Sequence, residues 1–301
     1  MPWRKGNRLR LVTEEEADDA TRQIFGEIKR TLGLPVLQCF YPALAVYPAF
    51  LRLHWQAIKP VAGSAELFDA ADRLRADAYT RAHNYFQVPD LSEHQRAQGE
   101  TDLLAVTDFF HYMEPLLLLL FCYQMQALEE TTGNAEAKPT LLESPRTRKA
   151  PSLCGVEELS APTTLKKRFE DIRRTTAVPF VNPEYCAFAC WPEFLQAYWD
   201  SLKKMMASPV YDECRYGMRS TAWTLATKLP GTFELTLDQL TEAGLSNEQV
   251  ASIARILELF IANLSGQLLN IAVAKIALEG GNLAVPGSSR ASRRKRKRPA
   301  A

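Results

Sequence analysis

The sequence predicts an all-α protein built from two tandem homologous helical modules that form a pseudo-dimer within one chain. Three observations predict it. Sliding the 301-residue sequence against itself by 144 positions aligns 25–95 with 169–239 without a gap and yields 20 identities in 71 positions. Unrelated segments of ordinary composition share about four. The pairs include Phe25/Phe169, Pro35/Pro179, Tyr41/Tyr185, Pro48/Pro192, Trp55/Trp199, Lys59/Lys203, Ser64/Ser208 and Arg75/Arg219. Apolar residues recur at helical spacing, and no stretch alternates in the manner of a strand. Helix start signals fall at matching places in the two copies.

Taken in order, Thr13 and Glu16 form a capping-box pattern that opens a first helix ending near Gly33. Pro35 and Pro48 punctuate the next two helices, as Pro179 and Pro192 do in the second copy. Ser64 and Ser208 are placed to cap a fourth helix. Ser92…Gln95 and Thr236…Gln239 read as matching capping boxes, with Ser246…Gln249 a further one. The last helix of each copy is long, Glu100 to Glu130 and Ser246 to Glu279. The resulting organisation is a first module over 13–131, a linker over 132–162 rich in Pro, Ser, Thr and charge, a second module over 163–281, and a tail over 282–301. The seam between two such modules is a natural place for a pocket.

Composition bounds the function. Hydrophobic residues make up 47% and charged residues 24% of the chain, values of a folded globular protein and not of a disordered or collagen-like one. The longest purely apolar run, Leu116 to Cys122, is far short of the roughly 20 residues a membrane span needs. The basic N-terminus is followed by no apolar stretch, so a cytoplasmic protein without a signal peptide is expected. Six cysteines without a CxxC pair predict reduced thiols. The net charge of +1 conceals seven basic residues between Arg290 and Arg298, without which the chain carries −6. That tail reads as solvated and disordered, with no partner assigned.

The chemistry-bearing residues are few. The four histidines are scattered; His111 and Glu114 share a helix face, but one such pair is no metal site, and no metal or other cofactor is expected. Cys186 and Cys190, four apart on a helix, are either a thiol pair or ordinary core cysteines. No P-loop, G-x-G-x-x-G or G-x-S-x-G is present. Asn182-Pro183-Glu184 reads as N-cap, N1 and N2 of a helix. There Glu184 either complements the helix dipole or acts as a general base. The second role arises because its counterpart in the first copy is Phe40, and a carboxylate set against apolar residues has a raised pKa. In Glu114-Pro115, the proline lies inside a helical pattern and is expected to kink it, turning Glu114 toward whatever lies across the seam; the alternative is a surface glutamate before a structural proline.

With these residues in view, the chain resembles the group I 2-haloacid dehalogenases of the DehI type. The resemblance covers roughly residues 20 to 280. It rests on Leu34-Pro35, Tyr47-Pro48 and Trp55, on Glu114-Pro115-Leu116-Leu117-Leu118, on the run from Pro183 to Pro192, on Leu229-Pro230-Gly231 and on Phe260-Ile261-Ala262-Asn263. It implies an all-α fold of two related modules with the active site between them, and a homodimer. It also implies metal-independent hydrolysis of 2-haloalkanoic acids: a carboxylate activates water, halide leaves, and the 2-hydroxy acid forms with inverted configuration and no ester intermediate. Glu184 falls where the family carries its catalytic Asp, Glu114 where it has a water-holding Asn, Val36 where it has a pocket Trp, and Leu257 where it has a pocket Tyr.

Two functions follow. In the first, the chain is a dehalogenase-like hydrolase with Glu184 as general base and Glu114 as its partner, and with Val36, Asn182, Pro183, Tyr185 and Leu257 lining the site of a small 2-halocarboxylate. In the second, the chain is a non-dehalogenating member of the same fold that binds a small molecule or serves as a scaffold. A thiol redox protein using Cys186 and Cys190 is a third reading.

Overall fold

The computed structural model describes residues 9–37, 39–95, 102–129, 137–143, 155–156, 158, 160–231 and 235–282. The described residues form helices, with a single isolated bridge, Ser64 with Leu141, as their extended pairing. The helices are α1 (Asp19–Leu32), α2 (Phe40–Leu44), α3 (Pro48–Ala62), α4 (Ala65–Tyr85), α5 (Leu103–Leu128), α6 (Thr163–Thr176), α7 (Pro183–Phe188), α8 (Pro192–Met206), α9 (Pro209–Ala226), α10 (Leu237–Glu242) and α11 (Asn247–Leu278). A short 3-10 turn, Ser92–His94, precedes α5.

Local chemistry accounts for most boundaries. Thr13 and Glu16 exchange the reciprocal bonds of a capping box, but they close a turn; α1 begins six residues later, where the Asp18 carboxylate accepts from the Thr21 amide at 2.7 Å. Pro48 and Pro192 stand at the first positions of α3 and α8. Ser64 and Ser208 cap α4 and α9. The boxes at Thr236/Gln239 and Ser246/Gln249 are both made. The expected box at Ser92/Gln95 is not: the Gln95 amide donates instead to the Leu278 carbonyl, so this stretch is tied to the end of α11 and makes only a 3-10 turn. Gly33 ends α1 in the left-handed region at φ 67°, and Ala177, 144 residues on, ends α6 at φ 57° despite its Cβ.

The two long helices, α5 and α11, pack against each other at the centre, and α4 and α9 pack against both. Each is long and apolar enough to cross a membrane, yet 83% of its most apolar window is buried inside this fold. Around this centre, α7 lies on α5 and α2 lies on α11. Part of the segment joining the halves is bound down: Thr140 accepts from the Ala65 amide at 2.9 Å and donates through its hydroxyl to Glu66 at 2.6 Å, and the Val156 amide donates to the Cys186 carbonyl at 3.0 Å. The basic run from Arg290 to Arg298 lies outside the described residues.

Candidate active site

The crossing of α7 over α5 carries the acidic residues that the sequence singles out. Pro183 occupies the first position of α7 and Glu184 the second. Glu184 is 2% exposed, and so is Glu114 in the middle of α5. A surface role for Glu114 is thereby removed. Both carboxyls are held above the ordinary range. Glu184 is pushed up to about 8 by burial, against the lowering effect of its own backbone amide at the helix start. Glu114 is raised too, first by burial and then by the negative charge of Glu184. One oxygen of each, Oε1 of Glu184 and Oε2 of Glu114, is buried without a hydrogen-bond partner among the described residues. Two carboxylates taken out of water together are costly, so the pair retains a proton that separate, exposed glutamates would release.

The other proposed site residues are distributed unevenly. Asn182 stands at the N-cap position, but its side chain caps nothing. It forms a buried amide pair with Asn263 of α11, donating at 3.2 Å and accepting at 2.7 Å. Tyr185 is fully buried and points into the core, where its hydroxyl accepts from Asn270 at 3.1 Å and its ring meets Tyr198 and Trp199. Pro183 is half-buried and Leu257 is buried on α11. Val36 is at the surface, 39% exposed.

Several residues were missed in the sequence. Asn270 is the centre of a buried polar network: Tyr211 donates to its side-chain oxygen at 2.7 Å, Tyr198 to its carbonyl at 2.8 Å, and its own amide serves Tyr185 and Gln267. The signal was present, because Asn263, Gln267 and Asn270 fall at i, i+4 and i+7 on an otherwise apolar stretch of α11. A polar stripe on a buried face requires partners. Arg75 was likewise seen only as a repeat identity. Its Nε donates at 2.8 Å to the carbonyl of His111, the acceptor that Pro115, lacking an N–H, leaves without its helical donor. Its Nη2 reaches the Tyr112 carbonyl at 3.3 Å. With that support, α5 runs through Pro115 without interruption.

The thiol reading is corrected. Cys190 is disulfide-bonded whereas Cys186 is free, so the two do not pair with each other and the expectation of reduced thiols fails at Cys190. The Cys186 thiol is pushed up to about 12 by burial and by the charges of Glu184 and Glu158, the opposite of an activated thiolate. No group of three or more potential metal ligands occurs among the described residues.

Comparison with known proteins bears on this geometry. The model of a family described as halocarboxylic acid dehydrogenase DehI matches residues 35–185, half of the chain. An (R)-2-haloacid dehalogenase from Pseudomonas putida is 29% identical over 272 residues, which is 87% of this chain and 90% of the relative. An (R)-2-haloacid dehalogenase from Rhizobium sp. (strain NHG3) is 24% identical over 77% of this chain and 93% of its own length. Among solved structures, a complex of D-2-haloacid dehalogenase with L-LA superposes with a TM-score of 0.81 at 27% identity, covering 91% of this chain and 97% of the other. A mutant D-2-haloacid dehalogenase gives 0.82 with the same coverage.

Proposed function

Because the chain belongs to the DehI family, we propose that it is a hydrolase that converts 2-haloalkanoic acids to 2-hydroxy acids, with Glu184 as the general base. One observation carries the reading: two glutamates buried where α7 meets α5, each with a carboxyl oxygen that no described residue satisfies. A buried oxygen without a partner is a place prepared for a water or a substrate atom. The Glu184 carboxylate accepts a proton from water as the water oxygen attacks C2. The carbon–halogen bond breaks, halide departs with the bonding pair, and the configuration inverts. Glu114 keeps its proton after Glu184 has ionised, since the charge on Glu184 opposes a second one beside it. A protonated Glu114 donates a hydrogen bond where an amide donates in the resembled enzymes, and it spares an anionic substrate a second negative charge. In this reading Pro183, next to Glu184 in α7, and the buried Leu257 of α11 serve as lining residues, and Val36 contributes from the surface; Asn182 and Tyr185 hold α7 in place through Asn263 and Asn270.

The test is halide release from the separate (R)- and (S)-enantiomers of 2-chloro- and 2-bromopropionate. Release by the wild type that is lost in Glu184→Gln establishes the reaction and the base. No release at high enzyme concentration overturns it and leaves a binding protein of the same fold.

We also infer the two-module organisation, 13–131 and 163–281 with a linker at 132–162 and a tail at 282–301. It is supported by helix starts that recur 144 residues apart, at Asp19/Thr163, Pro48/Pro192, Ala65/Pro209 and Leu103/Asn247. Recurring contacts support it too. The Trp55 indole and Lys59 both donate to Glu27, at 3.0 and 2.8 Å, and the Trp199 indole and Lys203 both donate to Asp171, at 2.9 and 2.7 Å. Assembly as a homodimer, implied by the resemblance, is checked by light scattering on the full chain.

A further inference from the structure

The repeat places an arginine and a glutamate in each half: Arg75 with Glu114, and Arg219 with Glu258. In the second half the two meet. Arg219 donates from both terminal nitrogens to the Glu258 carboxylate, at 2.7 and 3.0 Å. In the first half the guanidinium is directed to backbone: Nε to the His111 carbonyl, Nη2 to the Tyr112 carbonyl, with Nη1 on Asp72 and the guanidinium carbon 5.4 Å from the centre of the Tyr112 ring. The sequences differ one residue past the glutamate. The second half has Leu259, whose amide continues the helix; the first has Pro115, which leaves the His111 carbonyl open.

We propose that Arg75 is a positioning residue of the active site: by occupying the carbonyl that Pro115 leaves open, it braces the turn of α5 that carries Glu114 and is withheld from Glu114 itself, which therefore stays an uncharged hydrogen-bond donor beside Glu184. The proline thus decides the ionisation of its neighbour by redirecting an arginine, and the effect of Arg75 on catalysis passes through Glu114 and not through substrate. This rests on the proposed roles of Glu114 and Glu184. Other titratable groups on the surrounding elements have their own places. Glu184 of α7 opposes ionisation of Glu114, and the Tyr198 phenol of α8 is itself raised, first by burial and then by Glu184, Tyr211 and Glu114. Glu258 of α11 is paired with Arg219 of α9, Lys275 of α11 with Asp108, and His54 of α3 with Gln124.

The experiment reads the carboxyl directly and needs no substrate. The infrared band of a protonated buried carboxyl is followed against pH in the full chain and assigned to Glu114 by its loss in Glu114→Gln. In Pro115→Leu the restored amide releases Arg75, and the midpoint of that band is expected to fall by at least one pH unit. The double variant Pro115→Leu/Arg75→Met, with no guanidinium to release, returns it to the wild-type position. A band unmoved in a folded Pro115→Leu, or one that stays low in the double variant, overturns the proposal. Should Pro115→Leu not fold, Arg75→Met alone is decisive. In Arg75→Met, amide exchange over 111–114 is expected to quicken at least tenfold with the Glu114 band in place, whereas unchanged exchange overturns the bracing role. Halide release is measured separately, so loss of the proposed reaction and loss of this mechanism are told apart.

Discussion

Where α7 lies on α5, two glutamates are buried near enough for the charge of one to raise the other; where α2 lies on α11, 144 residues away in register, the same kind of crossing is closed by rings. Phe40 stands at the position of Glu184 and sets its ring edge-on against Phe260 at 4.8 Å, with Phe121 6.0 Å away and Phe180 6.3 Å from Phe260. Beneath each crossing lies a tyrosine, and the two differ in the same sense. Tyr185 belongs to the network of Tyr198, Tyr211 and Asn270. Tyr41 leaves its hydroxyl unpartnered, and so do Nε2 of its neighbour His54 and Nε2 of Gln124. The acidic crossing is braced by a well-satisfied polar layer; the aromatic one holds itself by apolar contact and tolerates loose polar ends. One backbone arrangement can therefore carry a costly buried acidic pair on one side provided that the elements beneath it are rigid.

The comparison can be broken in descending order of effect. Glu184→Gln should lower halide release by about 10³-fold, the range of a lost general base, with the helical content unchanged by circular dichroism. Phe40→Glu moves the acidic character to the crossing that has no polar support. It should destabilise by about 3 kcal/mol or more in urea unfolding, since the new carboxylate is buried among rings.

The pH dependence separates the halves. Glu184, raised from 4.5 to about 8, holds in the folded protein a proton that the unfolded chain has released. Stability should therefore fall as pH rises between those values, with a slope of at most about 1.4 kcal/mol per pH unit from this group. His54 acts oppositely. Burial lowers it from 6.5 to about 4, so the unfolded chain takes up a proton the folded one refuses, and stability falls as pH drops through that window. Urea midpoints against pH should lose the Glu184 share of the first slope in Glu184→Gln, leaving the share of the buried Glu114, and keep both shares in His54→Phe. The smallest contrast is between the polar layers. Asn270→Ala removes the side-chain acceptor of Tyr211 and the donor to Tyr185 and should cost about 2–4 kcal/mol, whereas Gln124→Leu, which strands one His54 ring nitrogen but also removes an unpartnered amide, should cost less, about 1–2 kcal/mol.

The helices were largely legible, and the reasons are local. Serine caps, N-terminal prolines and a glycine after α1 act through atoms within a turn of the chain, so Ser64, Ser208, Pro48, Pro192 and Gly33 mark real boundaries. Ser92 failed because its expected partner, Gln95, is claimed by a carbonyl at the far end of α11. The candidate base was legible as well, because a carboxylate at a position where the repeat has phenylalanine is a local contradiction. What its neighbours do was not. Asn182 reads as a cap yet bonds Asn263, and Tyr185 reads as a site residue yet is spent on Asn270.

From residues alone, then, this protein's all-helical class was settled and its two acidic residues were singled out as candidates, since helix signals and residue chemistry are properties of short stretches. Only the tertiary structure decided that Glu114 is buried instead of exposed, that it stands near Glu184, and that Arg75 serves a backbone carbonyl while Arg219 serves a carboxylate. Charge state and pairing depend on which groups share the same few ångströms out of water, and that is set by how α4, α5 and α7 pack, over separations of tens of residues that no local pattern records.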